Sequence, residues 1–460
     1  MPVTDSIFLF AESREHPMHV GSLELFTPPP DAGPHFVADL YEKLLSVDQV
    51  DDTFRKRPGH PVSSRGYLWW SLDDEVDLEY HVRHSALPPS GRIRDLFVLI
   101  SRLHGTLLDR HRPLWEMYVI EGIEGGRFAV YTKLHHSLMD GVAALQLLRR
   151  TLGTDPDSYE TGAPWHVPRS GDRAQSSDGN RSSAGPWRGA VRAVRALAGE
   201  AIEAVPTTAR LAQTALGHHH VALPYEAPAT ILNVPIGGAR RFAAGSWSLE
   251  RIARARRAAG VTVNDFVLAM CSGALRAYLL EQNALPEDPL VAMVPISLRA
   301  KERLDAGGNS VGVTLCNLGT DQADPLRRLA VVSASMGQGK DLFAGMTPLQ
   351  ALLWSAANIA PLGLAPVPGF VRLTPPPFNI IISNVPGPRE TLYWNGARLD
   401  GIYPTSVVLD GQALNITLTN TADTLDFGLV GCRRSVPSLQ RLLGHLEQSL
   451  ADLETALGVA

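Results

Sequence analysis

The sequence predicts an α/β protein of two lobes, each with a mixed sheet flanked by helices, joined by a linker or crossover. Three observations lead to this fold class. The chain has 460 residues, more than one core usually serves. Helical and strand-like patterns alternate in both halves. A polar stretch at 168–186 separates them. We assign 1–160 to an N-terminal lobe, 161–225 to a flexible linker with an amphipathic helix, and 226–460 to a C-terminal lobe.

The first half of the chain contains both helix-like and strand-like patterns of apolar residues. Apolar residues recur at helical spacing in "FVADLYEKLLSV" (36–47), which predicts a helix. The segment "RFAVYTKLHH" (127–136) is rich in β-formers and follows Gly125 and Gly126, which predicts a strand. The next segment, "DGVAALQLLRRTLG" (140–153), returns to helical spacing.

The second half repeats this mixture of periods. A helix is predicted over 261–280, where Thr262 and Asp265 fit a capping box. The other predicted elements are a buried strand ending in a turn at 378–388, a hairpin across "TADT" at 413–431, and a closing helix at 436–457.

Composition narrows the class of protein. Apolar residues make up 45%, charged residues 19%, and the net charge is −5, which argues against nucleic acid as the main partner. Three distant cysteines, Cys271, Cys316 and Cys432, show no disulfide or metal-ligand spacing and fit a reducing cytosol. The first residues lack a signal-peptide pattern, and no apolar run is long enough to cross a membrane. We expect a cytoplasmic protein whose membrane contact is peripheral.

One segment could make that contact. Residues 187–205 form an amphipathic pattern, with an apolar face opposite a face that carries Arg188, Arg192 and Arg195. Such a helix can pack between the two halves or lie on a lipid surface. The histidines of "GHHHV" (217–221) lack acidic or cysteine partners and are interpreted as surface residues, so no metal site is expected.

The motif "HHSLMDG" (135–141) stands at the predicted strand-to-helix junction. Neighbouring side chains in a strand point to opposite faces, so one histidine should face a cavity while the other packs or hydrogen-bonds behind it. Gly141 lets the backbone approach a ligand or a strand closely. A single neutral imidazole can take the proton of a hydroxyl as it attacks a thioester, which suits direct acyl transfer.

Several blocks resemble the bacterial wax ester synthase/diacylglycerol acyltransferase family, within the chloramphenicol acetyltransferase-like fold. The resemblance covers nearly the whole chain except the linker. Condensation domains of non-ribosomal peptide synthesis share its H-H-x-x-x-D-G pattern, so the other blocks are more specific. The matching blocks are "HPMHVGSLELF" (16–26), "LDRHRPLWEMYVIEGIEGGRFAVYTKLHH" (108–136), "NDFVLA" (264–269), "VPISLR" (294–299) and "SNVPGP" (383–388).

The resemblance implies a role for each residue of the motif. His136 would be the general base that deprotonates the acceptor hydroxyl, and His135 would support its geometry. Asp140 would pair with Arg299 and fix the histidine loop, since a buried carboxylate is costly without a partner charge. Gly141 belongs to the same catalytic motif.

The resemblance also implies a second group of site residues. Asn264, at the start of the 261–280 helix, could steady the oxyanion, or it could be a plain polar residue there. Trp115 could wall the acyl channel, or it could pack in the core. The predicted substrate-binding positions are Pro113, Leu114, Trp115, Asp265, Ser383 and Asn384.

The expected activity is therefore acyl-CoA-dependent O-acyl transfer. A long-chain acyl group would move to diacylglycerol, a long-chain alcohol, or both, with acyl-CoA as substrate and no cofactor. The alternatives are a condensation-type enzyme that uses carrier-bound acyl groups and a non-catalytic lipid-surface protein. The absence of a carrier domain beside the fold, the "PLWE" block and the intact histidine motif favour the first. Acceptor identity, chain-length preference and oligomeric state stay open.

The two interpretations of the amphipathic segment make different predictions in liposome flotation. If it binds lipid, changing Arg188, Arg192 and Arg195 to Glu should reduce flotation with anionic liposomes, because each basic residue near such a surface contributes about 1 kcal/mol. Equal flotation of the variant and the wild type would leave only packing between the halves.

Overall fold

The structure is a computed structural model. The structure describes residues 3–59, 69–139, 141–158, 162–166, 225–297, 311–344, 346, 350–351, 354 and 370–459. The polar linker, the amphipathic segment, "GHHHV", Asp140 and Arg299 lie outside the described residues.

Helices and strands alternate along the described chain. The strands are β1 (His19–Thr27), β2 (Lys56–Pro58), β3 (Trp70–Leu72), β4 (Val82–Ala86), β5 (Trp115–Ile123), β6 (Arg127–His135), β7 (Arg240–Ser248), β8 (Val291–Ser297), β9 (Val311–Asn317), β10 (Ile380–Val385), β11 (Tyr393–Trp394), β12 (Ala397–Thr405), β13 (Leu414–Asn420) and β14 (Thr424–Cys432). The helices are α1 (Val3–Ala11), α2 (Phe36–Leu45), α3 (Asp52–Arg55), α4 (Leu78–His81), α5 (Ile93–His104), α6 (Gly141–Thr151), α7 (Leu249–Ala259), α8 (Val263–Glu281), α9 (Pro325–Ala344), α10 (Phe370–Leu373) and α11 (Arg441–Ala456).

Two mixed six-stranded sheets organise these elements. The first has the order β11-β12-β1-β6-β5-β4 and is antiparallel except where β4 pairs with β5. The second has the order β7-β14-β13-β10-β8-β9, and in it β10 runs parallel to both β13 and β8. Mixed sheets flanked by helices confirm the predicted α/β class.

The sheets do not follow the order of the chain. Strands β11 and β12 come late in the sequence, yet β12 pairs with β1 in the first sheet. A carboxylate then ties this strand to the second sheet, because Asp426 of β14 accepts the Ile402 amide of β12 at 2.9 Å. The chain limits 1–160 and 226–460 stay a prediction, and the sheets add that a segment of the second range, 393–405, completes the first sheet.

The two faces of β6 serve different cores. Tyr131 packs into a large cluster that also contains Phe266 of α8 and Phe427 of β14, so this core is shared by both sheets. Phe128 packs on the other face, in a cluster with Leu40 of α2. Because alternate side chains of a strand take opposite faces, Lys133 and His135 lie on the shared-core face with Tyr131.

Most predicted elements are confirmed. The helices predicted over 36–47, 140–153 and 436–457 appear as α2, α6 and α11, and the hairpin at 413–431 appears as β13 and β14. Helix α8 begins with the predicted capping box, in which Thr262 and Asp265 bond each other's amides. This helix is long and apolar enough to cross a membrane, but 67% of its most apolar window is buried inside the protein, as in a core helix.

Because β14 and β12 cross closely, Gly428 should not tolerate a larger side chain. A Cβ at Gly428 would meet the carbonyl oxygen of Pro404, which is backbone and cannot move aside. We expect Gly428→Ala to destabilise the protein by about 1–3 kcal/mol, the range for overpacking. Thermal unfolding would measure this, with Gly444→Ala in α11 as the control.

The control makes the same glycine-to-alanine change at a position where the added Cβ has open space. Nothing lies within 4 Å of a Cβ at Gly444. Alanine also favours a helix over glycine by about 1 kcal/mol, so this variant should be unchanged or more stable. Equal midpoints for Gly428→Ala and the wild type would contradict the close packing of the two strands.

Candidate active site

The histidine pair stands where β6 ends. His135 is the last residue of the strand and lies directly opposite His19 of β1. The ladder continues one step further, because the His136 amide donates to the Met18 carbonyl at 2.8 Å. A turn follows, in which the Leu138 amide donates to the His135 carbonyl at 2.9 Å, and α6 begins at Gly141. The backbone of both histidines is therefore fixed by hydrogen bonds.

His135 is the buried member of the pair, with 0% of its surface exposed. Its Nδ1 accepts the Ser137 amide at 3.1 Å and lies 2.6 Å from the Ser137 hydroxyl. Because a backbone amide can only donate, the proton of the neutral ring belongs on Nε2. That atom faces the Glu12 carboxylate, with 3.5 Å between Nε2 and Oε1. The contact is longer than a good hydrogen bond, so it is a weak electrostatic contact between the ring N–H and the carboxylate.

His136 is partly exposed and stacks on an aromatic ring. The ring of Phe8, in α1, lies 4.1 Å from the imidazole with an angle of 15° between the planes. One ring of the pair is thus packed and hydrogen-bonded, while its neighbour is partly exposed. That the His136 ring faces a cavity stays a prediction. The role of His136 as a base stays a prediction.

A part-buried ion pair, Glu12 with Arg110, lies beside His135. The Glu12 side chain is 1% exposed, and its Oε2 accepts Nε and Nη2 of Arg110 at 3.1 and 2.9 Å. Burial raises the pKa of Glu12, but the contacts with His135, the Met18 amide and Arg110 outweigh it and leave the pKa below its usual value. Glu12 is not among the site residues that the sequence predicts. One signal was present, since an acid just after a helix C-terminus is unfavourable unless it has another partner.

A second buried charge lies two residues before His135. Lys133 is fully buried and its ammonium contacts Glu116 at 2.9 Å. It also donates to the carbonyls of Leu103 and Thr106, at the end of α5, at 3.2 and 3.0 Å. Burial lowers the pKa of Lys133 while Glu116 opposes that shift. Lys133 therefore closes the C-terminus of α5 and fastens it to β6.

His104, the last residue of α5, completes this layer. Its Nε2 donates to the Ser406 carbonyl at 3.0 Å, so its Nδ1 accepts the Tyr131 hydroxyl at 2.8 Å. Its carbonyl in turn accepts Nε2 of His19 at 2.7 Å. Burial lowers the pKa of His104 to about 3, which keeps the ring neutral at ordinary pH.

The P-L-W block touches the motif through its backbone. The Leu114 carbonyl accepts the His135 amide at 3.0 Å, and the buried Pro113 precedes it. The Trp115 ring is 1% exposed, donates to the Phe54 carbonyl at 2.8 Å and stacks on His81. This environment supports core packing for Trp115, one of the two readings left open by the sequence.

The remaining predicted residues lie on elements of the second sheet. Asn264 is the second residue of α8 and is partly buried. Asp265 caps the same helix, with Lys340 at 3.8 Å from its Oδ1. Ser383 and Asn384 are partly buried positions of β10, opposite Thr417 and Leu418 of β13. Within the ranges that the structure describes, no cluster of three or more His, Cys, Asp or Glu residues could hold a metal ion.

Solved structures that share this two-lobe fold include condensation domains. The first condensation domain of the CDA synthetase matches with a TM-score of 0.52 at 17% identity, over 100% of this chain and 95% of that one, which shows the fold alone. The family models give a finer answer. "Wax ester synthase/diacylglycerol acyltransferase catalytic domain" matches residues 1–267, and "WS/DGAT C-terminal domain" matches residues 307–454. The chain belongs to the wax ester synthase/diacylglycerol acyltransferase family and is an acyltransferase.

Full-length relatives agree. The chain is 56% identical to the Mycobacterium tuberculosis (strain H37Rv) protein named probable diacylglycerol O-acyltransferase tgs2, over 100% of this chain and 99% of the relative. A solved structure, the wax ester synthase/diacylglycerol acyltransferase from Marinobacter aquaeolei VT8, is 40% identical with a TM-score of 0.79, and the match covers 99% of this chain and 98% of that one.

Because His104 is buried as a neutral ring, we expect the protein to lose stability in acid. The folded pKa lies near 3 and the unfolded value near 6.5, so the unfolded state binds the extra proton first as pH falls. Stability should therefore drop from about pH 6.5 downward, by about 2 kcal/mol between pH 7 and 5 from this residue alone. The variant His104→Gln lacks this titrating group, so its stability does not fall with pH for this reason. The difference in the free energy of unfolding between wild type and variant should therefore be about 2 kcal/mol smaller at pH 5 than at pH 7.

Urea unfolding at pH 7 and pH 5 measures how much less stable each variant is than the wild type. Ser101→Ala is the matched control, because it removes the hydroxyl of the same helix that accepts the Phe242 amide at 2.9 Å but no titrating group. Its deficit should be the same at both pH values. A deficit of His104→Gln that does not change with pH would contradict the burial of a neutral ring.

Proposed function

We propose that the protein transfers a long-chain acyl group from acyl-CoA to the hydroxyl of a lipid acceptor, with His136 as the general base. The observation that carries the proposal is the contrast within the pair. His135 is fully buried and hydrogen-bonded, while His136 has a fixed backbone and a more open ring. A base must be held in place and still reach the proton that it removes.

The proposed reaction needs no covalent enzyme intermediate. The acceptor oxygen attacks the thioester carbon as His136 takes its proton, and the resulting oxyanion collapses and expels coenzyme A as the thiolate. The imidazolium then returns the proton to the leaving thiolate. Asn264, in the first turn of α8, is proposed to steady the oxyanion, helped by the positive end of the helix. Asp140 and Arg299 are proposed to fix the loop after the histidines.

The acceptor is proposed to be diacylglycerol, a long-chain alcohol, or both. The names of the relatives support both products, since tgs2 is named for diacylglycerol and the Marinobacter protein for wax esters as well. Both acceptors are water-insoluble, so we further propose that the protein acts in the cytoplasm at the surface of a membrane or lipid droplet. The flotation experiment above tests the basic face of 187–205 as one contact with that surface.

A direct assay tests the activity and the base together. The purified protein should release free coenzyme A from palmitoyl-CoA when hexadecanol or dioleoylglycerol is added. His136→Ala should lower the rate by a factor on the order of 10² or more, the usual scale for losing general-base help. Product chromatography with each acceptor separates wax ester from triacylglycerol.

The matched control is His111→Ala, a histidine of the same lobe whose side chain is 88% exposed. It should keep the wild-type rate with either acceptor. A His136→Ala variant that keeps most of its activity would place the base elsewhere.

A further inference from the structure

Glu12 joins three parts of the site that are distant in sequence. It directly follows α1, its Oε2 holds Arg110, and its Oε1 accepts the Met18 amide at 3.1 Å. An ionised carboxylate offers only acceptor sites, about four of them, so it can serve several donors at once. The partner guanidinium compensates the cost of burying this charge. The arrangement is therefore a stable acceptor surrounded by donors.

The first connection runs through Met18. Its amide donates to Glu12, and its carbonyl accepts the His136 amide at 2.8 Å. Both polar groups of one peptide segment are thus engaged, one by the carboxylate and the other by the proposed base. Moving the carboxylate would leave the Met18 amide without this acceptor, in the same residue whose carbonyl holds the His136 backbone.

The second connection runs through His135. Its Nε2 faces Glu12 at 3.5 Å while its Nδ1 accepts the Ser137 amide. The carboxylate favours a proton on Nε2, which leaves Nδ1 free to accept. The Ser137 amide belongs to the turn that carries His136, so the charge of Glu12 also helps to set that turn.

The third connection runs through α1. The Glu12 amide donates to the Phe8 carbonyl at 3.1 Å, and Arg110 donates to the Leu9 carbonyl at 2.8 Å. These bonds hold the last turn of the helix, whose Phe8 ring stacks on His136. The same ion pair therefore supports the backbone, the turn and the stacked ring around one imidazole.

We propose that Glu12 is a positioning residue for this acyl transfer, acting on His136 through Met18, His135 and α1. It is not a catalytic residue, because it contacts no reacting atom. The inference rests on the proposed role of His136. The isosteric change Glu12→Gln tests it, because an amide has one acceptor oxygen for the donors of Arg110 and Met18, and its NH2 group would face donors.

The control is Glu454→Gln in the second lobe. Glu454 is also buried and also paired with an arginine, since Arg251 donates Nη2 to its Oε2 at 2.7 Å and Nε to its Oε1 at 3.2 Å. Both variants should lose thermal stability. Only Glu12→Gln should lower kcat, roughly ten-fold, with an unchanged KM for palmitoyl-CoA, because a misplaced base slows chemistry more than binding. A wild-type kcat in Glu12→Gln, or an equal loss in Glu454→Gln, would overturn the inference.

Combining Glu12→Gln with His136→Ala separates positioning from general damage. If Glu12 acts through His136, the double variant should be within about two-fold of His136→Ala, because the effects of coupled residues are not additive. A further ten-fold loss would mean a purely structural role and overturn the inference. A fully active His136→Ala would remove the proposed function and this inference with it, whereas an inactive His136→Ala beside a wild-type Glu12→Gln would remove the inference alone.

If Glu12→Gln does not fold, a milder variant of the same ion pair provides a second test. Arg110→Lys keeps the charge but cannot span Glu12 and the Leu9 carbonyl as the guanidinium does. We expect a smaller fall in kcat, about three-fold, again with unchanged KM for palmitoyl-CoA. A kcat equal to that of the wild type would count against the inference.

Discussion

The antiparallel register of β1 against β6 is the constraint on which the site depends. It sets His19 opposite His135 and Gly21 opposite Lys133, and it brings the Met18 carbonyl to the His136 amide. A slip by one residue would send every side chain of β6 to the other face. Gly21 helps to fix the register, because a Cβ there would meet the Thr132 carbonyl and the Thr405 hydroxyl. The close approach of three strands thus requires glycine at this position.

Buried charges stabilise this register of β6 against alternative strand pairings. Lys133 has its partner Glu116 on the neighbouring strand and two carbonyls at the end of α5. Removing such a partner leaves an uncompensated charge in the core, which costs about 3–5 kcal/mol. A slipped strand would break these contacts together with those of Tyr131 and His104. The polar layer behind the histidines therefore selects one pairing of the strands, whereas an apolar layer would tolerate several.

Local patterns were enough for the parts of the fold that local forces decide. The capping box of α8 and the β13–β14 hairpin follow from neighbouring residues, and both are confirmed. The histidine motif was placed at the right strand end for the same reason. Return of 393–405 to the first sheet could not be predicted, because periodicity does not specify a strand's partner. The Glu12–Arg110 pair was missed because its members lie 98 positions apart and neither belongs to a periodic pattern. The sequence also left Trp115 undecided, since burial depends on neighbours such as Phe54 that only the fold supplies.

The proposed direct transfer would explain why so many contacts hold one imidazole in place. Without a covalent intermediate, the thioester, the hydroxyl and the base must meet in one complex, and much of the rate then comes from orientation. A base on a mobile loop would lose that advantage even with suitable proton affinity. His136 follows directly after a paired strand, its amide is bonded to Met18, and its ring lies against Phe8. The Glu12–Arg110 pair supports all three features, so under the proposal a charge that contacts no reacting atom still influences the rate through the position of the base.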